Sequence, residues 1–464
     1  MSAGTPADLP LAGIRILELS QAIVLPAATT ALGGLGADII KVESGSRPDA
    51  TRGGPQPENE RRAAAHNHSG HFHAMNRNKR GITLDLSLPR GRDVFLRLVA
   101  VSDVVAENFT SRVLPNLGLD YEALRAVNPR IILVSSNGFG HSGPWRNYKA
   151  WGPNIESVDG LMLLTGYPGG SPQRAGSGGL GVTFPDIAGA YYGAFAILGA
   201  LEYRERTGDG QWIELAHYEA GVATIPEAIL AYTMNERMLD RDGNRDRRRA
   251  PQGAYRCDGL DRWIAISIAT DEQFACLVSH LGVPALVQDA RFATFLERRR
   301  HHDQLDALIG EATRSRNAWT LEQDLQRLGI DAAVVGTPRD VLFDPQLKHR
   351  GYFEMVPPPA DAPDIGYRPF IRPGWRMENS PAVTHRRGPD FGEHTDEVLS
   401  EYLGMTAAEI AELESEGVVA RAPRDVISRE GVDIPGGLAT GRLREFDPDY
   451  RRHMDAHFLG GATA

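Results

Sequence analysis

The chain of 464 residues contains two cysteines, Cys257 and Cys276. That is too few for a disulfide framework or a cysteine-built metal site, and it suits a reducing cytoplasm better than secretion. Glycine is missing where a dinucleotide fold needs it. The first strand-to-helix turn, Ser20-Gln-Ala-Ile-Val-Leu-Pro26, holds none, while Gly33-Gly34-Leu35-Gly36 falls at a helix end, where glycine is a stop signal. No Gly-x-x-x-x-Gly-Lys-Ser/Thr occurs, so a P-loop nucleotide site is unsupported. There is no excess of positive charge: the net charge is −10, which argues against nucleic acid as a partner. Met1 to Asp8 lacks a basic segment followed by an apolar run, so no signal peptide is expected. From Ile187 to Leu201 the chain is uncharged for 15 residues. Spanning a bilayer takes roughly 20, so the segment reads as a buried core helix and no membrane contact is expected.

What is present is a soluble enzyme's composition, with 24% charged and 42% hydrophobic residues. The length exceeds what one core usually holds, so two domains or more are expected. In the first half strands and helices alternate. Ile14–Leu19 reads as a buried strand, Pro26–Leu35 as a helix and Ala37–Glu43 as the next strand. Arg80–Asp85, Asp103–Asn108 and Arg130–Ser136 are further strands, with helices from Pro89 and over Tyr121–Val127 between them. The alternation predicts a doubly wound, Rossmann-like α/β domain. Gln211–Ala216 is one more strand, followed by an apolar helix to about Met234. The arginine-rich stretch 235–249 reads as a linker before a smaller α/β domain, and Thr395–Leu403 and Ala407–Glu416 look helical.

One carboxylate is singled out. Pro185 is at home in a helix start and Asp is a favoured first-turn residue, so Asp186 is predicted at the N-terminus of the uncharged helix, where the dipole favours its ionised form. Such a carboxylate can attack an activated carbonyl and form a covalent intermediate. It can equally be a cap and nothing more. Gly189, Gly193 and Gly199 predict close backbone contact along one side of this helix.

Several motifs occur in order: Gly36-Ala-Asp-Ile-Ile-Lys-Val-Glu43, Asn76-Arg-Asn-Lys-Arg-Gly-Ile-Thr-Leu-Asp85, Glu107-Asn-Phe109, Asn128-Pro-Arg-Ile-Ile132, Gly138-Phe-Gly-His-Ser-Gly-Pro144, the Asp186 helix ending in Thr207-Gly-Asp-Gly-Gln211, and Gly392-Glu-His-Thr395. With these the chain resembles the class III CoA-transferases, the CaiB/BaiF-like group that includes formyl-CoA and carnitine CoA-transferases, from about Leu11 to Val419. The resemblance implies an aspartyl nucleophile at Asp186, acyl-CoA and a small carboxylic acid as substrates, no tightly bound cofactor and no metal. It also implies an interlocked homodimer in which both chain ends build the large domain. The boundaries become 1–224 for the first part of the large domain, 225–335 for the small domain and 336–420 for the returning segment. The extension 421–464 is polar, with scattered aromatics and no clear period, either disordered or draped on a neighbouring surface.

The resemblance assigns Arg47 or Arg52, Arg77, Lys79, Arg80, Asn108, Arg112 and Lys149 to the CoA path, where cations meet phosphates in place of a glycine loop. Ile23, Trp151 and Tyr191, together with Tyr192 and Leu161–Thr165, suggest a large apolar acyl pocket suited to a bulky acid. Ile23 stands where formyl-CoA transferase has a glutamine, and the glycine-rich loop over that enzyme's site has no counterpart near Pro251–Arg256. Two alternatives stand beside the transferase. One is an α-methylacyl-CoA racemase of the same fold, which would need a histidine where this chain has Trp151. The other is a metal site at His66, His68, His71 and His73, four histidines in eight residues.

Overall fold

The computed structural model describes residues 9–171, 183–359, 361–425, 431–441 and 443–460. The chain divides into two compact units, one of Met1–Leu161, Gly176–Leu230 and Lys348–Ala464, the other of Met162–Ala175 and Ala231–Leu347. The sequence placed the small domain at 225–335 and did not foresee that a stretch beginning at Met162 also belongs to it.

The larger unit is built on six parallel strands: β1 Arg15–Glu18, β2 Asp38–Glu43, β3 Lys79–Thr83, β4 Val104–Glu107, β5 Ile132–Asn137 and β6 Trp212–Ala216. Their order is β3-β2-β1-β4-β5-β6, so the direction of winding reverses between β1 and β4. Both faces of the sheet are covered, which suits the apolar stretches Ile16-Leu17, Ile39-Ile40, Val104-Val-Ala106 and Ile132-Leu-Val134, while β3 carries the cations Lys79 and Arg80. Leu17, Ile40, Val105 and Leu133 pack with Phe95, Leu98, Val398 and Leu413 on one face. Their neighbours Ile16, Ile39, Val104 and Ile132 pack with Leu25, Leu32, Ile197 and Leu201 on the other. Each such side chain contributes roughly 1.5–3 kcal/mol on burial. The returning segment supplies the helices Thr395–Leu403 and Ala407–Ser415. It also covers the edge of β3: His394 N donates to the Gly81 carbonyl at 2.8 Å, and Gly81 N donates to His394 Nδ1 at 3.2 Å. The Gly392–Thr395 motif thus closes a strand edge that would otherwise present unpaired groups.

The helix carrying Asp186 runs Phe184–Thr207, longer than the uncharged run, and ends where Gly208 takes the left-handed conformation (φ 85) and its N–H bonds the Arg204 carbonyl at 2.8 Å. At 24 residues it meets the length and hydropathy for crossing a bilayer, so the sequence argument from length does not decide. Its glycines show what one side does. A Cβ on Gly189 would come within 3.0 Å of Val24 Cγ1, and one on Gly193 within 3.0 Å of Leu25 Cδ2, so both let the helix lie on the Val24–Gly34 helix. Gly199 has open space around its Cα and takes no part. The apolar helix expected after β6 is two, His217–Val222 and Pro226–Asn235, because Pro226 cannot donate within a continuous helix.

In the smaller unit β7 Gln252–Arg256, β8 Trp263–Ser267 and β9 Asp331–Val334 form an antiparallel sheet. Phe274, Leu277, Leu305, Leu321 and Leu325 from the helices Asp271–His280, His302–Thr313 and Ala318–Arg327 complete its core. The C-terminal extension is not wholly featureless. Ile434–Ala439 and Tyr450–Leu459 are helical, and Asn59 Nδ2 donates to the Val432 carbonyl at 2.6 Å. Tyr450 donates its hydroxyl hydrogen to Glu58. Draping over the chain's own surface is therefore what the described part of the extension does.

Candidate active site

Beyond the C-terminal ends of the strands, where the winding reverses, lies a cavity of about 560 Å³. Ligands in open α/β sheets bind at such a position. The turn after β1 supplies Gln21 to Val24, the turn after β4 Asn108 to Thr110, β5 ends in Asn137, and His217 follows β6. Asp186 is the single carboxylate among the described residues lining it.

Asp186 is buried in the first turn of its helix. Its Oδ2 accepts from Thr183 N at 3.1 Å and from Thr183 Oγ1 at 2.9 Å. Burial pushes the carboxyl above its ordinary range, and the two Thr183 hydrogen bonds offset part of that rise. The expectation that the helix end would favour the anion is thus outweighed by desolvation. Gly152 explains the closeness of the opposite wall: a Cβ there would stand 2.3 Å from Thr183 Oγ1 and 2.5 Å from Asp186 Oδ2. Sequence reasoning missed Thr183 and Gly152. Thr183-Phe-Pro-Asp186 is itself a capping-box pattern ahead of an apolar run, and that signal was legible.

The β1 turn is held in place from beneath. Ala22 has φ 63, costly for a residue with a Cβ. Asn108 and Gln21 fix it by exchanging hydrogen bonds, 2.8 Å from Gln21 N to Asn108 Oδ1 and 2.7 Å from Asn108 Nδ2 to the Gln21 carbonyl, and Ala22 N donates to Asp49 Oδ1 at 3.3 Å. Asp49 belongs to a fully buried cluster of three acids and three bases. Lys41 Nζ is 2.9 Å from Asp49 and 3.2 Å from Glu18, Lys79 Nζ is 2.7 Å from Glu18, and Arg52 is 2.7 Å from Glu43. Burial pulls Lys79 down to about 8 against the pull of Glu18, whereas in Lys41 the charges of Asp49 and Glu18 overcome burial and raise it.

This cluster corrects the assignment of cations. Arg52 and Lys79 have no exposed surface and are committed to Glu43 and Glu18. Arg80 is held by Asp38 at 2.6 Å, Glu397 at 3.0 Å and Glu401 at 2.5 Å. Arg77 is buried against Phe370, donates to the Ile371 carbonyl at 3.0 Å and is pulled down to about 10 by burial. Freeing a buried, paired cation for a phosphate would leave its partner uncompensated at a cost of about 3–5 kcal/mol. Arg52, Lys79 and Arg80 are therefore structural, whereas Arg77 has no carboxylate partner among the described residues, and its Nε and Nη1 are buried without a hydrogen bond there. Arg47, Arg112 and Lys149 remain exposed, and the Arg47 carbonyl accepts from cavity-lining Gln21 at 3.4 Å. Arg146, which the sequence reading passed over, lines the cavity itself.

The apolar acyl pocket is also corrected. Ile23 and Trp151 line the cavity, but Tyr191 and Tyr192 are 59% and 45% exposed on the outer side of the Asp186 helix and do not. Leu161–Leu164 is a short helix, and from Met162 it belongs to the smaller unit. The walls carry Gln21, Thr51, Thr110, Asn137 and His217 in their place. No three His, Cys, Asp or Glu side chains gather as metal ligands among the described residues. Of the four clustered histidines, His73 bonds the Asn67 carbonyl at 2.7 Å, His68 faces Asp361 at 3.5 Å and His71 lines the cavity.

The model of CoA-transferase family III matches residues 11–395. The succinyl-CoA–L-malate CoA-transferase beta subunit of Chloroflexus aurantiacus is 33% identical over 421 residues, covering 90% of this chain and 100% of that one. The succinate–glutarate CoA-transferase of Agrobacterium fabrum is 32% identical, over 84% of this chain and 95% of the relative. Among solved structures, a CaiB/BaiF family protein from Brucella suis superposes with a TM-score of 0.76 at 34% identity, covering 85% of this chain and 100% of that one. The chain belongs to CoA-transferase family III and is an acyl-CoA:carboxylate CoA-transferase. These relatives carry transferase names, and nothing in the comparisons favours the racemase.

Proposed function

We propose that CoA passes from an acyl-CoA donor to a carboxylic acid acceptor through covalent intermediates on Asp186. The observation that carries this reading is the isolation of one carboxylate, buried and oriented by Thr183, in a cavity with no second acid among its described lining residues. A carboxylate oxygen of Asp186 attacks the thioester carbonyl; the C–S bond breaks and CoA leaves as thiolate, giving a mixed anhydride. The thiolate then attacks the Asp186 carbonyl and expels the donor acid, leaving an aspartyl-CoA thioester. The acceptor carboxylate attacks that thioester, CoA leaves again, and its return to the acyl carbonyl of the new anhydride releases the product and restores Asp186. Each difficult exchange is divided into easier ones, and keeping the thiolate in the cavity makes its return intramolecular. Arg47, Arg112, Arg146 and Lys149 are the exposed cations proposed to meet the CoA phosphates, and Asn108 the wall of the pantetheine path.

Two further features belong to this reading. The sheet is taken as doubly wound, and the active form as an interlocked homodimer. The outer face of the Asp186 helix supports the second: Phe195 is 77% exposed, beside exposed Tyr191, Tyr192 and Leu198, an apolar surface of the kind that marks an interface. Incubation with acetyl-CoA followed by peptide mass spectrometry tests the intermediate. A CoA or acyl adduct on the Asp186 peptide, absent from Asp186→Asn, is expected; an adduct on another residue would sink the assignment.

A further inference from the structure

His217 stands in the Asp186 cavity with one ring nitrogen unpaired among the described residues. It opens the short helix after β6, and its Nε2 is 2.7 Å from Ser136 Oγ in β5. Ring atom Cδ2 packs against the Asp186 helix, 3.7 Å from where a Cβ on Gly189 would be. Gly189 follows Asp186 by three residues and so lies on the same side of the helix, about one turn further on. The imidazole and Asp186 thus line the same cavity, against the same helix. The bond to Ser136 is its one side-chain hydrogen bond among the described residues, and Nδ1 is neither paired nor sealed from solvent. Burial pulls the ring down to about 4, so it is neutral near neutral pH. Because a serine hydroxyl can donate or accept, the neutral ring can offer Nδ1 as an N–H donor or as a lone pair.

Resting on the reading of Asp186 as nucleophile, we propose that His217, oriented by Ser136, is a specificity-determining residue. It selects acyl groups that carry a second oxygen function, a hydroxyl or carboxylate, over unsubstituted alkyl acids of the same length. A carboxylate takes the Nδ1 hydrogen and a hydroxyl matches either form of the ring. An alkyl chain fills the same space, excludes solvent from Nδ1 and leaves that nitrogen unpaired.

The test is kcat/KM of the full-length enzyme with acetyl-CoA as donor and a matched pair of acceptors, succinate and butyrate. It is applied to the wild type and to His217→Leu, His217→Gln and Ser136→Ala. Wild type should favour succinate about tenfold or more, the worth of one hydrogen bond to a charged group. His217→Leu should erase that preference, lowering kcat/KM for succinate by a larger factor than that for butyrate. His217→Gln, which keeps a donor, should retain part of it, and Ser136→Ala should weaken it. A wild-type ratio near one, or a folded His217→Leu that loses both acids in equal proportion, overturns the proposal. Should His217→Leu fail to fold, an unchanged ratio in both His217→Gln and Ser136→Ala overturns it as well. Absence of any Asp186 adduct in an enzyme that still discriminates between the acids would instead overturn the reading of Asp186 and leave His217 standing.

Discussion

Asp186 Oδ2 accepts both hydrogens that Thr183 can give, from the backbone N–H at 3.1 Å and from the hydroxyl at 2.9 Å. The carboxylate is thereby fixed with its other oxygen left for chemistry. Asp186→Asn keeps an acceptor for Thr183 and should lower stability by no more than about 1 kcal/mol, the worth of a cap, while abolishing transfer. Thr183→Ser should stay close to wild type, and Thr183→Ala should lower kcat about tenfold, equivalent to one hydrogen bond. Retention of more than a few percent of activity by Asp186→Asn would show that the nucleophile is elsewhere.

Cations of the buried cluster and those on the surface should separate cleanly. Arg52→Ala leaves Glu43 buried without its ion-pair partner, and Lys79→Met leaves Glu18 to share Lys41 with Asp49; the first should cost about 3–5 kcal/mol in urea unfolding and the second somewhat less. Arg112→Ala or Lys149→Ala should leave the unfolding midpoint in place and raise KM for acyl-CoA about tenfold, the effect of one lost charge-assisted contact. Unfolding curves and KM values measured on the same preparations decide it. A stable Lys79→Met with weakened CoA binding would restore the original assignment.

Glu107 gives a pH signature. Burial raises it to about 7, against its hydrogen bonds to Ser135 and to Phe109 N, the latter at 2.7 Å. A carboxyl whose folded pKa exceeds its unfolded value of 4.5 binds more protons when folded, so its contribution to stability falls as pH rises through the window from about 4.5 to 7. Glu107→Gln mimics the protonated form. It should match wild type at pH 4.5 and exceed it at pH 8 by on the order of 2–3 kcal/mol. Parallel urea titrations at the two pH values check this; an equal difference at both would mean that Glu107 does not titrate in this window.

Asn59 fastens the start of the extension, and Glu58, Asp364 and Lys348 hold its last helix. Asn59, itself at φ 60, donates to the Val432 carbonyl at 2.6 Å and accepts from Val432 N at 2.5 Å. Asn59→Gly preserves the backbone conformation and removes both bonds, each worth about 1 kcal/mol. Amide exchange over 431–459 should accelerate while the sheet's exchange stays unchanged. Unaltered exchange in the extension would show that other contacts hold it.

The proposed dimer rests on the outer face of the Asp186 helix. Phe195→Glu places a charge there, which an apolar interface tolerates only at a cost of several kcal/mol. Sedimentation should show a dimer for wild type that resists dilution, and a monomeric or poorly folding variant. A wild-type monomer would remove the homodimer from the proposal.

Much of this protein follows from local sequence. Helix starts at Pro89 and Pro185, a stop at Gly208 and apolar runs in the strands are set by backbone dihedrals and by neighbours three or four residues away, so the elements and the place of Asp186 at a helix mouth were readable. The fate of each charge was not. Arg80 and Glu397 are 317 residues apart in the chain, yet the returning segment brings them to 3.0 Å. Only that pairing separates a structural arginine from one free to meet phosphate. The same holds for Tyr191, which faces outward, and for His217, which turns inward beside Asp186. Burial and partnership are sums over distant segments, and the tertiary structure alone decides them.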